Sequence, residues 1–229
     1  MRSRMRRRTR GRMGGRSGTW AGAVLLLLVS AVLLPSCGTD PEAAQWQEGT
    51  EHGPWRVVYN GHGTVVGQGG TITLSPRPAR RADETHAALV ISKASYEDFT
   101  YRLRMRTVKQ LREPGRPNPW EAAWAVWHYT DDTHFYYVVL KPNGWELGKV
   151  DPACPEKQCF LATHPGSYPI HSWHTVEVHQ RGATMTISVD DEPIVTHTDR
   201  RGPYTRGSVG LYTEDATVEF EDISVRGRG

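Results

Sequence analysis

Phe99-Thr-Tyr-Arg-Leu-Arg-Met-Arg-Thr-Val108 is the stretch whose reading decides the fold. Tyr101, Leu103 and Met105 fall on one side of an extended chain and Arg102, Arg104 and Arg106 on the other. That period of two is the signature of a strand with one core face and one wet face. Working outward, short β-branched or aromatic runs recur at Trp55–Tyr59, Thr71–Leu74, Ala87–Ile91, Ala122–Tyr129, Phe135–Leu140 and Trp145–Val150. They continue at Thr175–His179, Thr184–Val189, Ser208–Tyr212 and Thr217–Val225. Turn residues punctuate them, and no stretch sustains helical spacing, so the chain reads as an all-β, two-sheet antiparallel sandwich with very little helix.

Local details refine that reading. Val176 and Val178 pair with Met185, Ile187 and Val189 across Arg181-Gly182, and Asp190-Asp191 makes a second tight turn before Pro193-Ile-Val195. In the last strand Val218 and Phe220 share one parity while Ile223 and Val225 share the other. A bulge near Glu221-Asp222 is therefore expected.

The N-terminus carries a different signal. Arg2 to Arg16 is basic, Ala21 to Leu34 is apolar, and Pro35-Ser36-Cys37 follows, a pattern that resembles the export signal and lipobox of a bacterial lipoprotein. The apolar run is shorter than the roughly 20 residues a membrane-spanning helix needs. Cleavage before Cys37 with lipidation of its thiol is the expectation, which places the protein on the extracytoplasmic face of a cell membrane. Residues 1–36 are then signal, 37–53 a flexible polar tether and 54–227 a single sandwich domain.

Removing residues 1–36 takes away eight arginines and no acid, leaving 20 basic against 25 acidic residues, a net charge of −5. The basic character of the whole chain belongs to the signal, which removes the support for a nucleic-acid partner. With Cys37 assigned to lipid, Cys154 and Cys159 remain, and in an oxidising compartment they form a disulfide that staples one loop. Four intervening residues do not fit a redox CxxC motif.

Ala123-Trp-Ala-Val-Trp-His-Tyr-Thr-Asp-Asp-Thr-His-Phe-Tyr-Tyr-Val-Val-Leu140 and Asn143-Gly-Trp-Glu-Leu-Gly-Lys-Val150, with Thr175–Gly182, Thr186–Asp191, Gly207–Leu211 and Val218–Val225, resemble concanavalin A-like lectin/glucanase sandwiches. The chain is most similar to the 3-keto-disaccharide hydrolase domain family within that group. The resemblance implies a concanavalin-like jelly roll and a carbohydrate or glycan partner. It does not imply retaining glucanase chemistry, because the Glu-x-Asp-x-(x)-Glu strand of those enzymes has no match here. His128 stands where the family often carries Arg.

Parity selects the candidate site. Trp124, Val126 and His128 share one face of their strand, and Tyr137, Val139 and Lys141 one face of the next, so Trp124, His128, Tyr137 and Lys141 are expected to bind a sugar on the concave side. Glu146 and Lys149 fall on opposite faces, and Glu146 is the acid candidate. The leading expectation is a non-catalytic carbohydrate-binding module. If the protein is an enzyme acting on a disaccharide or glycan, His128, Lys141 and Glu146 are its acid/base residues, and a third reading is an envelope module that binds a protein.

No cofactor is expected and no metal site is assigned. His62, His128, His134, His171 and His174 lack the helical spacing that converges zinc ligands, and Cys154 and Cys159 have only His164 nearby. Calcium is the metal this fold admits more readily, with Asp222 or Asp199 as oxygen donors. The Pro-rich loop from Gln110 to Trp120 could wall one end of a groove.

Overall fold

The computed structural model describes residues 43–113 and 115–227. The expected signal segment, the lipidation residue Cys37 and the first residues of the tether lie outside them. Sixteen strands follow in chain order: β1 (Ala44–Gln45), β2 (Glu51–His52), β3 (Trp55–Tyr59), β4 (Thr64–Gln68), β5 (Thr71–Ser75), β6 (Ala87–Ser92), β7 (Phe99–Gln110) and β8 (Ala123–Asp131). The rest are β9 (His134–Lys141), β10 (Gly144–Val150), β11 (Gln158–Pro165), β12 (His174–Arg181), β13 (Thr184–Val189), β14 (Glu192–Thr198), β15 (Ser208–Glu214) and β16 (Ala216–Gly227). Among the described residues the only helical element is a 3₁₀ turn, Pro155–Lys157.

The strands form two antiparallel eight-stranded sheets. Sheet A runs β1-β4-β5-β16-β7-β12-β13-β14 and sheet B runs β11-β10-β9-β8-β15-β6-β3-β2. Between them lies a core in which Tyr101, Leu103 and Met105 of β7 meet Ala123, Ala125 and Trp127 of β8 and Tyr136, Val138 and Leu140 of β9. This is the face that the alternation at 99–108 selects.

The opposite, wet face of β7 is cationic by sequence and neutral by register. Arg102 pairs in register with Glu177 of β12, and Arg104 and Arg106 pair with Glu221 and Glu219 of β16. Each arginine is ion-paired with the acid opposite it. Trp173 caps two of them, with the Arg104 and Arg106 guanidinium carbons 5.1 and 4.7 Å from its ring centroid.

The expected bulge in the last strand is present: the β16–β7 register shifts between Glu221 and Ser224, with Asp222 at φ 51°. Asp190 and Asp191, at φ 52° and 68°, make the two-residue turn between β13 and β14.

Residues 44–53, expected as part of the tether, carry two short strands that pair with the sandwich. β1 adds to β4 in sheet A and β2 to β3 in sheet B. Between them Trp46 stacks on His52 at 4.5 Å and its backbone amide bonds to the Val65 carbonyl at 2.8 Å. Its ring lies over Gly67, where a Cβ would come within 2.2 Å of Cζ2. Polarity hid this because one tryptophan supplies most of the burial.

Candidate functional site

A second apolar cluster lies on the face of sheet B that is turned away from the inter-sheet core. It is built from Leu89 and Ile91 of β6, Trp124 and Val126 of β8, Phe135, Tyr137 and Val139 of β9, and Tyr212 of β15. Register explains the assembly, since Leu89, Tyr212, Trp124, Val139 and Glu146 stand opposite one another across five adjacent strands. Even side-chain parity puts all five on one face.

Trp124 is the centre of this face and is 4% exposed. Tyr137 lies against it at 4.5 Å and Tyr212 at 5.2 Å in an edge-on arrangement. Its indole Nε1–H donates to the Trp120 carbonyl at 2.8 Å, which ties its orientation to the end of the Pro-rich loop. That loop is anchored rather than loose. Buried Arg112 donates to Glu121 and, at 2.8 Å, to Asp215 Oδ2, and its Nη1 reaches the Arg81 carbonyl at 2.9 Å.

Of the residues expected in the site, Trp124, Tyr137, Lys141 and Glu146 come together. Lys141 Nζ donates to Glu146 Oε2 at 2.7 Å, and the Tyr137 hydroxyl donates to Glu146 Oε1 at 2.7 Å. Gln158 Nε2 donates to the same tyrosine oxygen. Burial, with the Glu146 charge added, pushes the Tyr137 hydroxyl well above its ordinary range, so it remains a donor. Lys149, as parity requires, points to the other face, where it meets Asp151 at 3.0 Å and Asp199 at 3.1 Å.

His128 does not join them. It adopts φ 50°, and the register of β8 slips against both β9 and β15 around it. The imidazole therefore swings to the other side of the sheet, 5.4 Å from Phe99 and 6.2 Å from Tyr136. Its Nδ1 and Nε2 lie 2.8 and 3.0 Å from the carbonyls of Tyr204 and Glu97. Burial lowers its pKa, against the pull of those two carbonyls. Gly207 lets the bulge form, since a Cβ there would lie 2.3 Å from the His128 carbonyl carbon. The expectation that His128 shares a face with Trp124 is corrected: Tyr129 takes its place in the outer cluster.

Sequence reading also missed Glu214 and Tyr212. The last residues of β15 extend beyond the apolar run ending at Tyr212, and two positions further on Glu214 shares its parity. The Tyr212 hydroxyl donates to Glu214 Oε1 at 2.6 Å. Burial, reinforced by the charges of Asp215 and Glu121, raises the Glu214 pKa, while Tyr212 and Arg112 pull it down. Sheet B thus carries two carboxylates on this face, with β9 and β8 standing between the strands that hold them.

Among the described residues no group of three His, Cys, Asp or Glu gathers as a metal site. The two calcium candidates stand apart. Asp199 accepts from Tyr136 at 2.6 Å and from the Arg201 amide at 2.8 Å, and exposed Asp222 lies 3.8 Å from Arg104. Cys154 and Cys159 form a disulfide around the 3₁₀ turn.

Two antiparallel sheets with this strand order define a concanavalin-like sandwich, the class that includes glucanases and carbohydrate-binding modules. The chain belongs to the family of 3-keto-alpha-glucoside-1,2-lyase-like domains, which its residues 38–226 match. Among solved structures it is similar to carbohydrate-binding module CBM66 from Bacillus subtilis, with TM-score 0.56, 16% identity and coverage of 76% of this chain and 96% of that one. A β-glucanase from Bacillus licheniformis gives TM-score 0.52 at 11% identity, covering 82% and 98% of the two chains. A putative glycosyl hydrolase from Parabacteroides distasonis gives 0.50 at 10% identity, covering 79% and 91%. No curated protein matches the chain.

Proposed function

We propose that the protein is an exported, lipid-anchored sandwich that recognises carbohydrate on the outer face of sheet B without transforming it. One observation carries this reading: Trp124 is framed by two tyrosines and flanked by acceptors and donors from Glu146, Lys141 and Glu214. The three rings are buried and form the floor of this face, while half-buried Lys141 and Glu214 put polar groups at its edge for sugar hydroxyls. Glu146 supports binding over acid/base work, because both its oxygens are already engaged. Display outside the cytoplasm is supported by the Cys154–Cys159 disulfide and by the lipobox-like Pro35-Ser36-Cys37. The test is a glycan array followed by calorimetry on the purified protein and on Trp124→Ala. Binding lost in the variant supports the reading, and no binding to any glycan by the wild type overturns it.

A catalytic second reading is favoured by the convergence of Lys141 and Glu146 and by the lyase-like character of the family. In a 3-keto-glucoside the ketone acidifies the C2–H. A base removes that proton, a C1–C2 double bond forms as the C1–O bond breaks, and the departing alcohol oxygen is protonated. Lys141 and Glu146 are the acid/base pair on this face, and His128, on the other side, is not. Release of free alcohol from a 3-keto-glucoside, abolished in Glu146→Gln, would replace the binding reading with this one.

A further inference from the structure

We infer that the protein carries a second site, at the seam between the two sheets, that takes an acidic saccharide. A cavity of about 470 Å³ opens between edge strand β11 of sheet B and edge strand β14 of sheet A, within the size range of small-ligand sites. Its wall is rigid. The Cys154–Cys159 disulfide forms one side, and Lys149 at the floor is held by Asp151, Asp199 and the carbonyls of Arg201 and Gly202.

The rim is different in character. Arg200 and Arg201 are exposed, and among the described residues neither guanidinium has a hydrogen bond or ion pair, unlike the three arginines of β7. His197 stands beside them on the same rim. Lys149 balances one of the two carboxylates at the floor, so the two free guanidiniums leave the pocket net positive in a chain whose residues 37–229 carry −5. Two adjacent guanidiniums suit a carboxylate or sulfate better than a neutral hydroxyl.

Phe160 supplies the second half of the recognition. It lines the same cavity and is 66% exposed, the most open of the large apolar side chains among the described residues. An exposed ring next to unpaired cations fits a ligand with an apolar sugar face and an anionic substituent. The site is separate from Trp124, but its ligand class rests on the reading that this sandwich recognises carbohydrate.

The test is calorimetry on the wild type, on Arg200→Ala/Arg201→Ala, on Phe160→Ala and on Trp124→Ala. The probes are a hexuronate-containing tetrasaccharide, the same tetrasaccharide with its carboxyls reduced, and sodium sulfate alone. The expected result is at least tenfold tighter binding of the acidic form, lost in the double-arginine variant, weakened severalfold in Phe160→Ala and kept in Trp124→Ala. Arg200, Arg201 and Phe160 are exposed, so those variants keep the fold, whereas Trp124 is buried and Trp124→Ala serves as a control only once thermal denaturation shows it folded. Equal affinity for acidic and neutral forms, indifference to the arginines, loss in Trp124→Ala or equal binding of sulfate alone overturns the inference. Neutral glycans binding with no acidic preference would sink this site and leave the reading of the outer face of sheet B standing, whereas failure of every glycan sinks both.

Discussion

Tyr137 and Gly148 stand opposite each other in the β9–β10 ladder, and the tyrosine ring covers the glycine so closely that a Cβ there would lie 2.1 Å from Cζ. The missing side chain is what lets Tyr137 lie flat and reach Glu146 and Gln158. Gly148→Ala is therefore expected to lift the ring, cost about 1–3 kcal/mol by overpacking, and weaken glycan binding. Urea denaturation and calorimetry together check it, and an unchanged affinity would remove Tyr137 from the site.

Arg112 is the cation between two fully buried carboxylates, Glu121 and Asp215, and Glu121 Oε2 already has no partner among the described residues. Arg112→Met leaves two uncompensated charges. The expected loss is about 3–5 kcal/mol, read from the shift in the denaturation midpoint. A loss below about 1 kcal/mol would mean that the cluster neutralises itself by taking up protons.

Glu214 gives a pH signature. Burial raises its folded pKa above the ordinary carboxylate value of 4.5, so the folded state holds the proton more tightly than the unfolded state. Its contribution to stability is full below that ordinary value and is lost as pH rises through the raised folded value. Glu214→Gln should therefore flatten the fall in stability over that window, measured as the wild-type-minus-variant difference in unfolding free energy. Parallel curves would disprove the assignment.

Trp46 joins the N-terminal segment to the sandwich, and Trp46→Ala should cost about 1–3 kcal/mol. Trp173→Ala, which removes only a cover over two ion-paired arginines, should cost less. Thermal denaturation of the two variants gives the ranking. The reverse order would return residues 44–53 to the status of a tether.

Alternation made the sheets legible, because burial on one face imposes a period of two that the arginines of β7 display without interruption. The same rule placed Trp124, Tyr137, Lys141 and Glu146 on one face. It failed at His128, where one residue in the left-handed region reverses parity for everything after it, and the sequence marks that position only through distant Gly207. Glu214 escaped because a strand's apolar run ended before its hydrogen-bond ladder did. The N-terminal clamp escaped because its strands are two residues each and its burial rests on Trp46.

That clamp has a mechanical consequence. β1 and β2 are short, belong to different sheets, and are the first pairings met on entering the domain from the N-terminal side. Any load drawn through residue 43 falls on them one bridge at a time, while the twelve-residue β7 and β16 are loaded only afterwards. The chain order thus sets two-residue strands between any pull from the N-terminal side and the twelve-residue strands β7 and β16.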